Sequence, residues 1–226
     1  MKLKKVAVNL APTHQAFDYQ SDAVNAVRDK EYFGIFHEQG LGKTKIAIDL
    51  ALSWIKNEVC DSVIFVSKKS LTNNWDDEIK SHTSIYPISF SANKKENTSK
   101  FFSYGKFYIC HFDLIKNDVD NFESFCKFRN VGMILDESVA IKNPETAMAK
   151  AFHKLAPLLK RRIIMTGTPV DNRPYDIWSQ IYFLDLGASL GTNFSEFKSK
   201  YDLNKDLADS QIMQEIFEKD LNELKN

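Results

Sequence analysis

The sequence predicts an open α/β fold, a mainly parallel sheet with helices on both faces, and three observations predict it. Short β-branched or aromatic runs recur at residues 32–37, 62–67, 106–111, 131–135 and 162–165. Helical patterns lie between most of them, at 43–56, 71–81, 122–128 and 145–155. The runs at 63–66 and 132–135 are continuously apolar instead of alternating, as strands covered on both faces are. Strand and helix in alternation imply right-handed crossovers. Ligands of such sheets sit at the carboxyl ends of the strands.

Between the second and third runs, the polar stretch 89–100, rich in Asn, Ser and Lys, reads as a surface excursion. From Asp206 onward, Ile212, Ile216, Phe217, Leu221 and Leu224 fall at near-helical spacing, which predicts an amphipathic terminal helix. There is no internal repeat and no low-complexity segment.

Composition narrows the class without naming a partner. Of 226 residues, 43% are hydrophobic and 27% charged, the profile of an ordinary soluble domain. Thirty basic residues balance thirty acidic ones, so net charge neither points to nor excludes nucleic acid, because basic groups can gather on one face. Cys60, Cys110 and Cys126 are far apart with no metal-ligand spacing, which predicts buried free thiols in a reducing compartment. The apolar stretch near Met1 is broken by Asn9 and Pro12, too short and polar for a signal-peptide core. No apolar run approaches the roughly 18 residues of a membrane span. The expectation is a cytoplasmic protein with no membrane partner.

Two motifs carry the chemistry. The first is His37-Glu38-Gln39-Gly40-Leu41-Gly42-Lys43-Thr44, after one strand run and before a helix. Glycines let successive backbone N–H groups turn inward around an anion, and the helix N-terminus behind adds positive potential. Lys43 is placed to reach the β- and γ-phosphates of a nucleotide, and the Thr44 hydroxyl to hold Mg²⁺. Alone, the segment is also compatible with a plain glycine turn before a lysine-bearing helix. The second motif is Asp136-Glu137-Ser138, at the end of the run 131–135. Two adjacent carboxylates at a buried strand end require a cation or hydrogen bonds. In a phosphate-loop enzyme Asp136 binds Mg²⁺ and Glu137 polarises the attacking water. An isolated acidic pair could equally cap a helix; with the glycine loop upstream, the pair points to ATP hydrolysis.

These residues resemble a family. Asp136-Glu137-Ser138-Val139-Ala140-Ile141-Lys142-Asn143 is similar to the DEAH-like box of superfamily-two helicases, in the form found in Snf-type (Swi/Snf-like) translocases. Met165-Thr166-Gly167-Thr168-Pro169, with Asn172, Trp178 and Phe183-Leu184, resembles the motif III region of the same branch. Asp18-Tyr19-Gln20 lies where the Q motif falls, Val63 to Ser67 with Leu71 and Asn74-Trp75 resembles motif Ia, and His111-Phe112-Asp113 stands at motif Ib. The order runs from about residue 15 to 200.

The resemblance implies a phosphate-loop NTPase of RecA-like fold: an N-terminal lobe over 1–205, then a helix over 206–226 leading to a second lobe. It implies ATP and Mg²⁺ as ligands, with Gln20, Gly40, Leu41, Gly42, Lys43 and Thr44 on the nucleotide and Thr44 and Asp136 on the metal. Lys43, Asp136 and Glu137 are the implied catalytic residues. Thr166, Gly167 and Thr168 would couple the γ-phosphate to nucleic acid, double-stranded DNA by the Snf-type likeness, through Ser67, Lys68 and His111. Read without the family, those last three are solvated loop ends. Trp75 and Trp178 read as packing residues.

Three departures stand out. Val139 replaces the DEAH histidine, which removes a side-chain link to motif III from that position; His37 replaces the loop's usual first glycine; and nothing resembling motifs IV to VI follows. The arginines that a second lobe brings to the γ-phosphate in cis or in trans are worth roughly a thousandfold or more in rate. Two functions stay open: an ATP-hydrolysing DNA motor lobe, phage or prokaryotic by its compact form, or a nucleotide-controlled binding module with little hydrolysis of its own. A metabolic phosphate-loop kinase would leave the TGTP segment without a purpose.

Overall fold

A computed structural model describes residues 9–38, 40–91, 93–170 and 173–201. The expected terminal helix at 206–226 and Asn172 lie outside the described residues. A six-stranded sheet, ordered β1-β6-β5-β2-β4-β3, organises the rest. Its strands are β1 (Tyr32–Ile35), β2 (Ser62–Ser67), β3 (Ile88–Ser89), β4 (Phe107–His111), β5 (Val131–Asp136) and β6 (Arg161–Met165). Every pairing is parallel, so the predicted open α/β sheet is what forms.

The continuous apolar runs are explained by burial on both sides. Within β2, Ile64 and Val66 enter one core, while Val63 and Phe65 enter the other. The period-2 alternation of a strand is present, but both faces need apolar side chains. The face of Val63 and Phe65 is covered by α1 (Asp18–Val27), α2 (Lys43–Lys56) and α3 (Thr72–His82). The other is covered by α4 (Lys94–Phe102), α5 (Phe112–Asn117), α6 (Val119–Lys127), α7 (Ala147–Leu155) and α8 (Trp178–Asp185). Helix α9 (Phe194–Tyr201) packs outside, where Phe197 joins Tyr175, Ile177 and Trp178 in a separate cluster. All three cysteines are free and buried, as expected.

Helix α2 occupies the bounds its periodicity predicts. Other boundaries moved for local reasons. Helix α7 starts at Ala147, later than expected, because Thr146 caps it, its hydroxyl accepting from Ala149 N. β1 stops at Ile35 because Phe36 and His37 already lead into the glycine loop.

The stretch 89–100 departs further from expectation. It does lie at the surface, with Asn93, Lys95, Glu96, Thr98 and Ser99 exposed, but it is not loop: it ends β3 and forms most of α4. Asn93 caps that helix, its side chain accepting from Lys95 N. Buried Asn97 then clamps the preceding turn, accepting from Ser91 N and donating to Ser91 O, both at 2.8 Å. An asparagine takes the place of an apolar anchor, so the hydrophobic periodicity that reveals a helix is weak here.

Phe65 stands at the middle of this arrangement. It is fully buried, with its ring centroid 4.9 Å from that of Trp75 and 5.2 Å from that of Phe107. Phe65→Ala is expected to destabilise the chain by about 3–5 kcal/mol, read as a lower midpoint in chemical denaturation.

Candidate nucleotide site

The glycine loop bridges β1 and α2 at the carboxyl edge of the sheet. Gly40 and Gly42 both have positive φ, +83° and +67°, a region that costs an L side chain roughly 1–2 kcal/mol. Gly42 caps α2 and is needed for a second reason. A Cβ there would lie 2.2 Å from Gln20 Nε2. The bare backbone therefore lets the α1 glutamine rest directly on the loop. Lys43, the first residue of α2, donates from Nζ to His37 O at 2.8 Å and Glu38 O at 2.9 Å. The amine thus closes the loop on itself, held by neutral carbonyls that an anionic oxygen can outcompete.

Gln20 is buried, and its Oε1 accepts from Phe17 N at 3.0 Å. That bond leaves the amide nitrogen turned toward Gly42. The rings of Phe17 and Tyr19 stack with centroids 5.9 Å apart, both largely exposed. A pocket of about 450 Å³ lies between these elements, lined by Phe17, Gln20, Gly42, Lys43 and Thr44 and, from α3, by Glu78 and His82. Predicted residues from two separate segments are thus brought together. Leu41 is exposed on the loop.

The acidic pair lies two strands away from β1. Asp136 ends β5 and pairs with Met165 on β6, the strand between β5 and β1. Burial is the main force raising the Asp136 pKa, and the Glu137 charge adds to it. A hydrogen bond from Trp75 and the positive charge of Lys43 oppose that rise. Trp75 Nε1 donates to Asp136 Oδ2 at 2.9 Å. The tryptophan is indeed core, yet it also orients a carboxylate, a role its sequence position did not disclose.

Glu137 has φ 60°, ψ 59°, left-handed for a side chain with no glycine excuse. Backbone strain of this kind persists only where surroundings impose it, and it concentrates at functional turns. Its Oε2 accepts from Thr166 Oγ1 at 3.5 Å, and Thr166 Oγ1 also accepts from Thr168 N at 3.1 Å. Thr166 is buried and Thr168 exposed, with Gly167 half-buried between them.

Of the three residues expected on nucleic acid, Ser67 and His111 lie side by side at the ends of β2 and β4, with Lys68 next in the chain. Ser67 has no exposed surface, and its hydroxyl donates to Lys68 O at 3.1 Å. It therefore presents no side chain to a ligand, and the expectation is corrected: Ser67 completes a buried strand. Lys68 is exposed and His111 half-buried. Burial, ahead of all else, lowers the His111 pKa, and its Nδ1 is buried without a hydrogen-bond partner.

Sequence reading passed over Gln180. It is a fully buried amide beside Ser179 in the first turn of α8 and accepts from Ser138 Oγ at 2.6 Å. A lone glutamine inside the run Trp178 to Leu184 is the one signal that could have marked it.

Residues 19–222 match the family model described as the SNF2-related domain. The chain is 28% identical over 198 residues to the "DNA excision repair protein ERCC-6-like" of Danio rerio, covering 82% of this chain and 13% of that protein. It is 34% identical over 155 residues to the "Probable ATP-dependent DNA helicase CHR12" of Arabidopsis thaliana, covering 65% of this chain and 14% of that protein. The fold is that of the Sulfolobus solfataricus SWI2/SNF2 ATPase core, solved in complex with dsDNA. The TM-score is 0.72 at 23% identity, over 94% of this chain and 44% of the solved one. The chain thus spans a small part of the length of these curated relatives. No helix among the described residues is long and apolar enough to cross a membrane. With a family model matched over residues 19–222 and the glycine loop, acidic pair and threonine turn set on a RecA-like sheet, this chain belongs to the SNF2-related domain family.

Proposed function

We propose that this chain is the ATP-binding lobe of a motor that hydrolyses ATP to move on duplex DNA. One observation carries the reading: Gln20, the Gly40–Thr44 loop and the Asp136-Glu137 pair gather at the carboxyl edge of one parallel sheet. In this reading the loop amides and Lys43 hold the phosphates, and Gln20 contacts the adenine edge. Thr44 and Asp136 would hold Mg²⁺, which neutralises charge on the phosphate oxygens. The fit rests on a half-buried carboxylate whose pKa is raised first by desolvation, a group that gains from a cation. Glu137 accepts the proton of the attacking water, and Thr166 Oγ1 orients it through Oε2. Lys68 and His111 face the DNA backbone, and a second lobe, in cis or in trans, closes the site.

A second reading is favoured by arginine placement. No arginine lines the pocket described between the glycine loop and α3. Without an arginine supplied by another lobe, the chain acts as a nucleotide-controlled binding module with slow hydrolysis.

Steady-state hydrolysis with duplex DNA, single-stranded DNA and RNA separates the two. The motor reading expects stimulation, greatest with the duplex. The binding-module reading expects ATP·Mg²⁺ binding with negligible turnover under all three conditions. Lys43→Ala is expected to abolish nucleotide binding, while Glu137→Gln keeps binding and loses about a hundredfold or more in rate. Unchanged nucleotide behaviour in both variants would sink the proposal.

Trp75→Phe keeps the aromatic packing and removes the donor to Asp136. Loss of such a supporting hydrogen bond is expected to weaken Mg²⁺ by about tenfold, measured as the Mg²⁺ concentration for half-maximal ATP binding.

The raised pKa of Asp136 also has a sign that can be tested. Above its folded pKa the ionised carboxylate lowers stability, and below the unfolded value of about 3.9 that penalty is gone. Asp136→Asn is therefore expected to raise the melting temperature at pH 7 without metal. Its advantage should fade as pH falls through the folded pKa and vanish below about pH 4, by calorimetry across pH.

A further inference from the structure

Val139, at the DEAH histidine position, has no polar atom with which to reach the segment after β6. The described structure makes that connection from the residue before it. Ser138 Oγ donates to Gln180 Oε1 at 2.6 Å, and Gln180 Nε2 donates to Pro169 O at 2.8 Å and Asp176 O at 3.1 Å. Ser138 and Gln180 have no exposed surface. The partners determine the amide's orientation, because only its nitrogen can donate to two carbonyls and only its oxygen can accept from the hydroxyl. Next to it, Ser179 Oγ donates to Ile141 O at 2.5 Å. The first turn of α8 thus grips both ends of the Ser138–Ile141 turn and, on its other side, the end of the threonine segment.

Packing alone does not account for a glutamine here. A leucine would fill the space beside Ile177, Ile181, Phe183 and Leu184. A glutamine serving only its own helix would bond within it, whereas two of these three bonds reach other segments. Buried from water, neither end has a substitute partner if the other moves.

We infer that Gln180 is a positioning residue that links the Glu137-Ser138 turn to the Thr166–Pro169 segment, so that a change at one is passed to the other. Glu137, on left-handed backbone directly before Ser138, is where occupancy of the γ-phosphate site would act. The inference rests on the nucleotide-site reading above and adds the residue through which that site communicates.

Hydrogen exchange of the 226-residue chain, with and without a non-hydrolysable ATP analogue and Mg²⁺, tests it. In the wild type, nucleotide is expected to slow exchange at residues 40–46 and also at 166–170. The Thr168 amide, bonded to Thr166 Oγ1, is the direct reporter. Gln180→Leu is close in volume. Ser138→Ala is milder, because it leaves the glutamine's bonds to Pro169 and Asp176 intact, which covers the case in which the first variant fails to fold. With Ser138→Ala, and with Gln180→Leu if it folds, protection at 40–46 and nucleotide affinity are expected to hold within about twofold of wild type while the response at 166–170 is lost. A merely structural role would leave that distal response in place. Its persistence in Ser138→Ala, or its absence from wild type that binds nucleotide, overturns the inference. Absence of protection at 40–46 in the wild type overturns the nucleotide-site reading itself, and this inference with it.

Discussion

A carboxylate at the end of a buried strand is the constraint on which the site depends. Asp136 leaves β5 at the sheet edge half-buried, and partial desolvation makes its ionised form costly there. The Trp75 indole supplies one hydrogen bond and Lys43 a positive charge, and together they only partly offset burial. In the proposed function a Mg²⁺ ion would offset the remainder. The glycine loop sits on β1, separated from β5 by β6 alone, so the phosphates that bring such a cation would arrive beside it.

The two faces of the sheet divide the work. Helices α1 to α3 build the side of the proposed nucleotide site, contributing Gln20, Lys43 and Trp75. Helix α8, on the opposite face, holds the turns that follow β5 and β6. Both sets of contacts meet at strand ends, where the backbone leaves the ladder and its groups become available to side chains. The packed strands between them are rigid in the way interiors are. A displacement of the Glu137 turn is therefore borne by its hydrogen-bonded neighbours, because the sheet cannot yield.

Much of this was legible in the residues. Helix α2 shows its 3.6-residue period and lies between two loops, so its bounds read directly from the sequence. The strands betray themselves by continuous apolar runs, since a parallel sheet needs apolar side chains on both faces. The glycine loop and acidic pair are legible because their chemistry demands particular residue types at contiguous positions. Helix α4 was not legible: its anchor is Asn97, whose value lies in two hydrogen bonds to Ser91 and not in hydrophobicity. Ser67 misled for a related reason. A serine at a strand end resembles a solvated residue, and its burial comes from neighbouring elements.

By itself the sequence determined the class of the fold, most of its strand and helix order, and the glycine loop and acidic pair proposed to carry the chemistry, because these depend on local pattern. Only the tertiary structure decided which of them meet. Gln20 lies against Gly42 across a helix and a strand, Trp75 reaches Asp136 from a different helix, and Gln180 joins Ser138 to Pro169. Each contact pairs residues well separated in the chain, and no local periodicity encodes such a pairing. It arises when crossovers between parallel strands bring their carboxyl ends to one edge and side chains there satisfy buried polar groups that water cannot reach.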